Sequence, residues 1–349
     1  MKVVLCNMGY SGYWVACWRE LVKYVDFMVF TPETRYPYPS ETIAGLPVVV
    51  LDKQQMANRE RVAELVEAEH PDVLLISGWA SPAFKALAYD RRFSRVKKVM
   101  IVDSSWNGSL RQILSRFLLR DYVKRLDGII VGGERGRKFA RWIGFKPNRI
   151  FRSIYGYDAD AFASCLPHRL KKSEWPRRFC FVGRYVPVKG IDCLLKAYAA
   201  YRRQVENPWP LDCYGSGPMQ DALGEVEGVV VKGFVNPQSL PNALAEEGAF
   251  VFPSLCEPWG VALAEAAGAG LPIICSDMVT SGDDLVKDSE NGFVVKAGSV
   301  KQLTAALVKL HHSKERLREM GALSAELAKD FAPKAWSRRW MEAFHVLVG

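Results

Sequence analysis

The sequence lacks long apolar runs and lacks cysteine pairs of the CxxC kind. No stretch approaches about 18 uninterrupted apolar residues, so no transmembrane helix is predicted. The first apolar run, residues 3–6, is far too short for a signal peptide. These features predict a cytoplasmic protein whose 8 cysteines are reduced and buried, and they argue against a disulfide framework or a zinc site.

The sequence also lacks a complete GxGxxG motif and has few histidines. A predicted strand at residues 2–8 is followed by the loop Gly9-Tyr10-Ser11-Gly12 and an apolar helix, which predicts a Rossmann-type opening. The loop lacks the third glycine of GxGxxG, which argues against a nicotinamide-dependent oxidoreductase, one alternative function. None of the 5 histidines ends a predicted strand, and Cys256 has no histidine nearby to make it a nucleophile.

Acidic residues are under-represented in the first half of the chain. Residues 1–150 hold 24 Lys and Arg against 15 Asp and Glu, whereas the remainder is balanced at 23 each, so the whole excess of +9 lies in the first half. A basic surface is expected to bind an anionic partner. The chain has no base-stacking motif, so this charge alone is a weak indication of nucleic-acid binding.

With 349 residues the chain exceeds what one hydrophobic core usually organises, so two domains are expected. Short apolar runs alternate with helical stretches, which predicts parallel sheets covered by helices on both faces. In the first half, the predicted strands are residues 2–8, 26–30, 48–51, 73–76, 99–102 and 128–131, and the predicted helices are residues 59–69, 83–89 and 110–126. Functional loops then belong at the carboxyl ends of the strands, at residues 78–79, 103–108 and 132–136.

The most informative stretch is residues 249–277. An apolar run at each end predicts neighbouring buried strands, and residues 258–270 predict a helix with Pro258 near its first turn. Glu257 then precedes the helix and Glu265 lies in it, about 12 Å further at about 1.5 Å per residue, the scale of a nucleotide sugar. The alternative is a surface helix with solvated glutamates, but small residues surround Glu265 and make that a poor setting for an idle charge.

The string EPWGVALAEAAGAGLPII resembles the signature of retaining glycosyltransferases of the GT-B fold, family 4. The resemblance implies that Glu257 contacts hydroxyls of the donor sugar and that Glu265 holds the ribose. It also implies that the backbone amides between them, those of Trp259, Gly260 and Val261, face the sugar and the diphosphate.

The second domain is predicted to begin with a strand, a loop and a helix in residues 179–198, FCFVGRYVPVKGIDCLLKAY. Arg184 and Lys189 stand at the carboxyl end of the strand and close to the helix start, where a diphosphate would sit. Charge-assisted hydrogen bonds contribute about 1.5–3 kcal/mol each, and a helix start adds about half a positive charge. The matching arginine and lysine of the family hold the diphosphate of the donor.

The resemblance extends the donor site to the loops that follow the neighbouring strands. Gly183 starts the loop of Arg184, the glycines of Gly215-Ser216-Gly217 resemble the family loop beneath the nucleotide, and Val235 ends a strand that meets the base in relatives. A further loop near the site is predicted at Ser281, Gly282, Asp283 and Asp284. The implied donor is a UDP or GDP sugar, and no metal or other cofactor is expected.

Family members often carry a histidine at the carboxyl end of a first-domain strand, and this chain has Asp103 at that place. Asp103, Ser104 or Trp106 could make the contact of that histidine with the donor sugar, and a helix cap is the alternative for Asp103. In the family, the loop that matches Gly9 and Gly12 faces the acceptor.

The segment IYGYDADAF, residues 154–162, resembles the hinge between the two family domains. Residues 158–160 also match DxD, the metal-binding motif of the other large glycosyltransferase fold. Because this DxD follows a glycine turn at a domain boundary, Asp158 is predicted to cap a helix and not to bind a metal. Near the chain end, Trp336, Trp340 and Phe344 are four apart and predict a docking stripe. The resemblance implies that this last helix returns to the first domain.

Residues 109–126 combine apolar residues at helical spacing with a basic complement. The apolar set is Ile113, Leu114, Phe117, Leu118 and Tyr122, and the basic set is Arg111, Arg116, Arg120, Lys124 and Arg125. A basic amphipathic helix can lie on an anionic membrane surface. A core helix with a solvated face is the alternative, and the sequence favours it slightly.

Together these features predict an α/β protein of the GT-B fold, with two Rossmann-like domains whose parallel sheets face a central cleft. The expected domains are residues 1–157, which bind the acceptor, and residues 158–330, which bind the nucleotide sugar, with a tail helix in residues 331–349. The expected activity is metal-independent, retaining transfer of a sugar to a hydroxyl of a glycan or lipid-linked acceptor, in polysaccharide or glycolipid synthesis at the inner face of a membrane. A non-catalytic GT-B scaffold that binds a glycan or a protein is the alternative.

Overall fold

The structure, a computed structural model, describes residues 1–33 and 40–349. These residues form two compact units. One unit comprises Met1–Gly156 and Ala332–Gly349, and the other comprises Tyr157–Phe331. Each internal boundary lies one residue from the expected boundary.

The first unit contains a sheet of 7 parallel strands in the order β3-β2-β1-β4-β5-β6-β7. The strands are β1 Lys2–Cys6, β2 Asp26–Pro32, β3 Val48–Leu51, β4 Val73–Ser77, β5 Lys97–Val102, β6 Gly128–Val131 and β7 Ile150–Arg152. The helices are α1 Gly12–Leu21, α2 Lys53–Ala57, α3 Arg59–Glu67, α4 Pro82–Ala86, α5 Leu110–Leu118, α6 Arg120–Val123 and α7 Gly133–Ile143. The sequence did not predict β7, because this edge strand is only 3 residues long and buries only Ile150.

Strand β1 shows why the strands read as uninterrupted apolar runs. Val4 and Cys6 point into one core cluster, and Val3 and Leu5 point into the cluster on the opposite face of the sheet. Side chains alternate between the two faces of a strand, and helices cover both faces here, so the four positions from Val3 to Cys6 are all apolar.

The second unit contains a sheet of 6 parallel strands in the order β10-β9-β8-β11-β12-β13. The strands are β8 Phe179–Val182, β9 Leu211–Tyr214, β10 Val229–Gly233, β11 Ala249–Phe252, β12 Ile273–Ser276 and β13 Gly292–Val295. The helices are α8 Ala159–Phe162, α9 Cys165–Leu170, α10 Ile191–Arg202, α11 Gln220–Gly224, α12 Leu240–Ala245, α13 Val261–Gly268, α14 Gly282–Leu285, α15 Val300–His311 and α16 Leu317–Ala328. All 8 cysteines are free thiols, and all are buried except Cys256, for which the prediction of burial was wrong.

Several predicted boundaries were wrong for identifiable reasons. The helix expected from Pro258 begins at Val261, because Gly260 takes the left-handed conformation at φ 100°. The helix expected over residues 110–126 is interrupted at Leu119, where ψ is −1°. The loop expected at residues 132–136 is already α7 from Gly133 onwards.

The C-terminal helix, α17 Pro333–Val348, belongs to the first unit. Its Trp336, Trp340 and Phe344 are fully buried, as a docking stripe requires. The Trp14 ring of α1 lies 6.2 Å from the Trp336 ring and 6.1 Å from the Trp340 ring, and the Trp340 Nε1–H donates to the carbonyl of Ser153 at 2.8 Å. In the described part of the chain, no helix has the length and apolarity needed to span a bilayer.

A buried arginine holds the C-terminal end of α13 in place. The Arg169 guanidinium is inaccessible to solvent and donates to the carbonyls of Leu244 at 2.6 Å, Glu247 at 2.8 Å, Ala269 at 2.8 Å and Gly270 at 3.1 Å. These carbonyls lie at the C-terminal ends of α12 and α13, where a positive charge also complements the helix dipole. One side chain therefore joins α9 to the two helices beside the candidate site.

We expect Arg169→Met to lower the free energy of unfolding by about 3 kcal/mol, because four buried carbonyls lose their donor. Urea unfolding followed by circular dichroism measures the loss. Arg203→Met, at an exposed position, is the matched control and should change stability by less than about 0.5 kcal/mol. Equal effects of the two substitutions would contradict the role assigned to Arg169.

Candidate functional site

The candidate site of the second unit lies where its strand order reverses. From β8 the chain continues to β9 on one side of the sheet, while β11 pairs with β8 on the other side. In open α/β sheets, ligands bind outside the carboxyl ends of the strands at such a switch point. The loops that leave this edge are residues 183–190 after β8 and residues 253–260 after β11.

Close backbone contact joins these two loops. The N–H of Leu255 donates to the carbonyl of Val188 at 2.8 Å. Gly190 has φ 74°, and a Cβ atom added to it would lie 2.1 Å from the carbonyl oxygen of Pro253. Only glycine fits there, so the position of one loop determines the position of the other.

The predicted glycine loop after β9 packs against the same loop from the other side. The N–H of Tyr185 donates to the carbonyl of Ser216 at 2.9 Å. A Cβ atom on Gly215 would lie 1.9 Å from the Gly183 oxygen, and one on Gly217 would lie 2.5 Å from the Tyr185 oxygen. Backbone packing alone thus requires both glycines, and their contact with a nucleotide stays a prediction.

Lys189 and Glu257 form an ion pair at the centre of this edge. Lys189 lies in the single 3₁₀ turn Pro187–Lys189, and its ammonium is 5.2 Å from the ring centroid of Phe252 in β11. The side chains of Lys189 and Glu257 are only 16% and 12% exposed. The sequence predicted that both lie at the site, but it did not predict that they neutralise each other.

The segment that follows β12 holds the backbone of Glu257. The Glu257 N–H donates to the carbonyl of Met278 at 3.1 Å, and the Thr280 N–H donates to the Glu257 carbonyl at 3.3 Å. Sequence reasoning missed Met278 and Thr280, although their place after the strand beyond β11 was a usable signal. Ser281 lies at the site as expected, whereas Gly282, Asp283 and Asp284 lie in helix α14 and not in the predicted loop.

The start of α13 has the geometry of an anion site. A Cβ atom on Gly260 would lie 3.0 Å from Ser281 Oγ and 3.2 Å from Glu257 Cγ. In the described chain, the N–H groups of Val261 and Ala262 donate to no backbone carbonyl. The Trp259 side chain is buried, with its ring 5.2 Å from that of Phe331, and its carbonyl accepts a hydrogen bond from the N–H of Ser281 at 2.9 Å.

Glu265 lies on α13 as predicted. The residue is half-buried, and within residues 1–33 and 40–349 its side chain forms no hydrogen bond or ion pair. Desolvation by the surrounding protein, with a smaller contribution from the Asp158 charge, raises the pKa of Glu265 to about 8. The alternative of two solvated glutamates is wrong for Glu257, which pairs with Lys189, and the desolvation of Glu265 argues against it there too.

The remaining predicted donor residues lie at the same edge without direct contact to the pair. Arg184 follows β8 and is exposed, and within the described chain it makes no ion pair with Glu257 or Glu265. Val235 is half-buried just after β10. The structure thus brings Lys189 and Glu257 together and leaves Arg184 exposed.

The first unit has its own switch point, between β1 and β4. Gly9 lies there with φ 119°, and α1 begins at Gly12. Asp103 is exposed after β5 and accepts a hydrogen bond from the Tyr155 hydroxyl at 3.0 Å. The nearest helix, α5, has Ser109 as its N-cap, so the helix-cap alternative for Asp103 was wrong.

The hinge aspartate behaves as predicted. Asp158 is the N-cap of α8 and accepts a hydrogen bond from the N–H of Ala161 at 3.2 Å. The sequence missed Tyr155, although it lies in the same resembling segment, because nothing in a linear pattern pairs it with an aspartate 52 residues away.

Comparison with known proteins bears on this second unit. Residues 166–326 match the family described as Glycosyl transferases group 1. This segment contains Arg184, Lys189, Glu257 and Glu265, and it lies within the unit Tyr157–Phe331. The group 1 match therefore covers the ion pair, the glycine loops and α13.

Two curated relatives are glycosyltransferases. The chain is 30% identical over 155 residues to the O-antigen chain mannosyltransferase B of Escherichia coli, which is 42% of this chain and 40% of that protein. It is 27% identical over 170 residues to the UDP-N-acetylglucosamine–peptide N-acetylglucosaminyltransferase GtfA subunit of Streptococcus pneumoniae, which is 45% of this chain and 33% of that protein. The chain thus spans less than half the length of these relatives.

Solved structures match the whole chain. Anabaena HepE, solved with UDP and glucose, has a TM-score of 0.75 and 16% identity, and the match covers 99% of this chain and 100% of that chain. At this identity the likeness shows the fold alone. The chain has the GT-B class of fold, in which each unit is Rossmann-like.

We expect Glu265→Gln to change how the stability of the unliganded protein depends on pH. The folded-state pKa of about 8 lies above the usual value of 4.5, so the folded protein holds a proton that the unfolded chain has lost. Through this group the free energy of unfolding falls by about 1.4 kcal/mol per pH unit between about pH 5 and pH 8. Urea unfolding across that range measures the slope, which should be smaller by about this amount in the glutamine variant, because Glu247, whose pKa is also raised to about 8 by burial, keeps its own contribution.

Glu225→Gln is the matched control, because Glu225 is exposed at the end of α11 and should leave the profile unchanged. If the parent and Glu265→Gln lose stability equally as the pH rises, the desolvated state assigned to Glu265 is wrong.

Proposed function

We propose that the protein is a retaining, metal-independent glycosyltransferase that moves a sugar from a UDP or GDP sugar to a hydroxyl of a glycan or lipid-linked acceptor. The observation that carries the proposal is the Lys189–Glu257 ion pair at the switch point of the second sheet, next to the start of α13. The group 1 match over residues 166–326 supports the same chemistry. Polysaccharide or glycolipid synthesis at a membrane is the process in which such an acceptor occurs.

The donor is held from its two ends. Glu265 accepts hydrogen bonds from the ribose hydroxyls, which suits a carboxyl that has no protein partner. Glu257 binds hydroxyls of the sugar. Lys189, the exposed Arg184 and the N–H groups of Val261 and Ala262 at the start of α13 bind the diphosphate between them.

The ion pair rearranges when the donor binds. In the unliganded protein Lys189 and Glu257 neutralise each other, so neither is a stranded charge in a largely buried place. A diphosphate brings negative charge to the same edge and competes with Glu257 for contact with the Lys189 ammonium. The Glu257 carboxylate is then free to accept hydrogen bonds from the sugar.

Fixed positive charge replaces a metal in this mechanism. As the bond between the sugar and the diphosphate breaks, negative charge grows on the leaving phosphate, and groups already in place stabilise it without reorganisation. The leaving phosphate takes the proton of the acceptor hydroxyl, on the same face of the sugar. This route needs no protein base and retains the anomeric configuration.

The first unit binds the acceptor. Gly9 and Gly12 shape the loop at its switch point, and Asp103, held by the Tyr155 hydroxyl, takes the place of the histidine that family members often carry. The basic residues of the first 150 positions attract an anionic membrane surface that presents the acceptor.

We expect a nucleoside diphosphate of one base type to raise the melting temperature, because only the folded state has the donor site. The test is a thermal-shift panel of UDP, GDP and their sugars. Glu265→Ala and Lys189→Ala should each remove most of the shift, while Lys301→Ala, at an exposed lysine of α15, should preserve it. No shift from any nucleotide, or unchanged shifts in both site variants, would refute the donor site.

We expect Lys189→Ala to lower kcat/KM for transfer by about tenfold to a hundredfold or more, since each tenfold corresponds to about 1.4 kcal/mol of transition-state stabilisation. Transfer is followed by nucleotide release with the donor that the panel identifies, and Lys301→Ala is again the control. Proton NMR of the product reports the anomeric configuration. An inverted product would exclude the retaining route.

A further inference from the structure

Helix α5 presents its apolar side to solvent. Leu110, Phe117 and Leu118 are 78%, 70% and 76% exposed. The exposed apolar face of α5 consists of Leu110, Ile113, Leu114, Phe117 and Leu118. The sequence slightly favoured a core helix with a solvated polar face, and that alternative was wrong because the helix is turned the other way.

Polar contacts hold the inner side of α5. Gln112 Nε2 donates to the carbonyl of Ser105 at 2.7 Å, and Ser115 on the same side of the helix is buried. The Trp142 Nε1–H of α7 donates to the carbonyls of Gln112 at 3.0 Å and Ile113 at 3.3 Å. The exposed apolar face is therefore not needed to attach the helix to its unit.

Basic side chains border this face. Successive helical residues are rotated by about 100°, which places Arg111 on one side of the apolar face and Arg116 on the other. Arg120 begins α6 and Lys124 follows its end, and all four side chains are exposed. In residues 1–33 and 40–349 none of these four pairs with a carboxylate, so the border keeps its full positive charge.

We propose that the exposed apolar face of α5 is a membrane-docking site that inserts into an anionic phospholipid surface. The inference rests on the proposed function, which calls for a membrane surface, and it names the element that meets that surface. The five apolar side chains enter the boundary between headgroups and acyl chains. The bordering arginines and lysine remain at the level of the lipid phosphates.

Charge argues for lipid and against a second copy of this chain. Two α5 helices packed face to face would bring Arg111 and Arg116 of both copies together, and α5 itself contains no carboxylate to compensate them. The helix is also only 9 residues long, about 13 Å. Its face alone is therefore smaller than the roughly 800 Å² per partner of a stable interface.

The test is flotation of the full chain with vesicles of phosphatidylglycerol and phosphatidylcholine, in the absence of any nucleotide sugar. We expect binding that weakens with added salt and is lost on pure phosphatidylcholine. The double variant Phe117→Gln/Leu118→Gln should bind about tenfold more weakly or worse, since both side chains lose their insertion into lipid. Its melting temperature should match the parent, because both residues are exposed.

Phe234→Gln is the matched control, because Phe234 is 68% exposed but lies in the second unit. It should bind vesicles like the parent. The proposal is overturned if the parent does not bind, if the double variant binds equally well, or if sedimentation shows a dimer that the double variant dissolves. Because no donor is present in this assay, a failure of vesicle binding does not affect the melting-temperature shifts with nucleotides. Equally, the absence of nucleotide shifts would not affect vesicle binding.

Discussion

The candidate site of the second unit depends on the contact between Lys189 and Glu257, which are 68 residues apart in sequence. They meet because β8 and β11 are hydrogen-bonded neighbours and both strands end at the same edge of the sheet. In a largely buried place, either charge alone would be costly, and together they are stable. In the proposed reaction, the diphosphate therefore meets a cation that is already held in place.

Close backbone contacts fix the positions of the Lys189–Glu257 pair and of α13. Gly190 allows the loop after β8 to touch Pro253, and Gly260 allows the start of α13 to touch Ser281. At the other end of the helix, the buried Arg169 holds the last carbonyls. Both ends of the element that carries Glu265 are thus fixed, which limits the entropy that a ligand would lose on binding.

The two units share a sheet plan but differ in the surface that they present. Each sheet reverses its strand order once, and each has a glycine-containing loop at that point. Only the first unit carries α5, whose apolar side faces outward because polar contacts with Trp142 and Ser105 hold its inner side. Such a helix suits an acceptor that resides in a lipid surface.

The sequence alone determined the α/β class, nearly every strand and the local positions of Lys189, Glu257 and Glu265. Those features depend on short-range patterns: apolar runs of strand length, glycines next to a strand end, and a glutamate at helical spacing from a loop. Asp158 as a helix cap belongs to the same group, because a cap involves residues only three positions apart.

Tertiary structure alone decided which of these groups touch and which way they face. The Lys189–Glu257 pair, the Asp103–Tyr155 hydrogen bond and the four carbonyls of Arg169 join residues that only strand order and loop packing bring together. The outward turn of α5 is of the same kind: periodicity shows that a helix has an apolar side, but only its packing partners decide whether that side meets the core or the solvent.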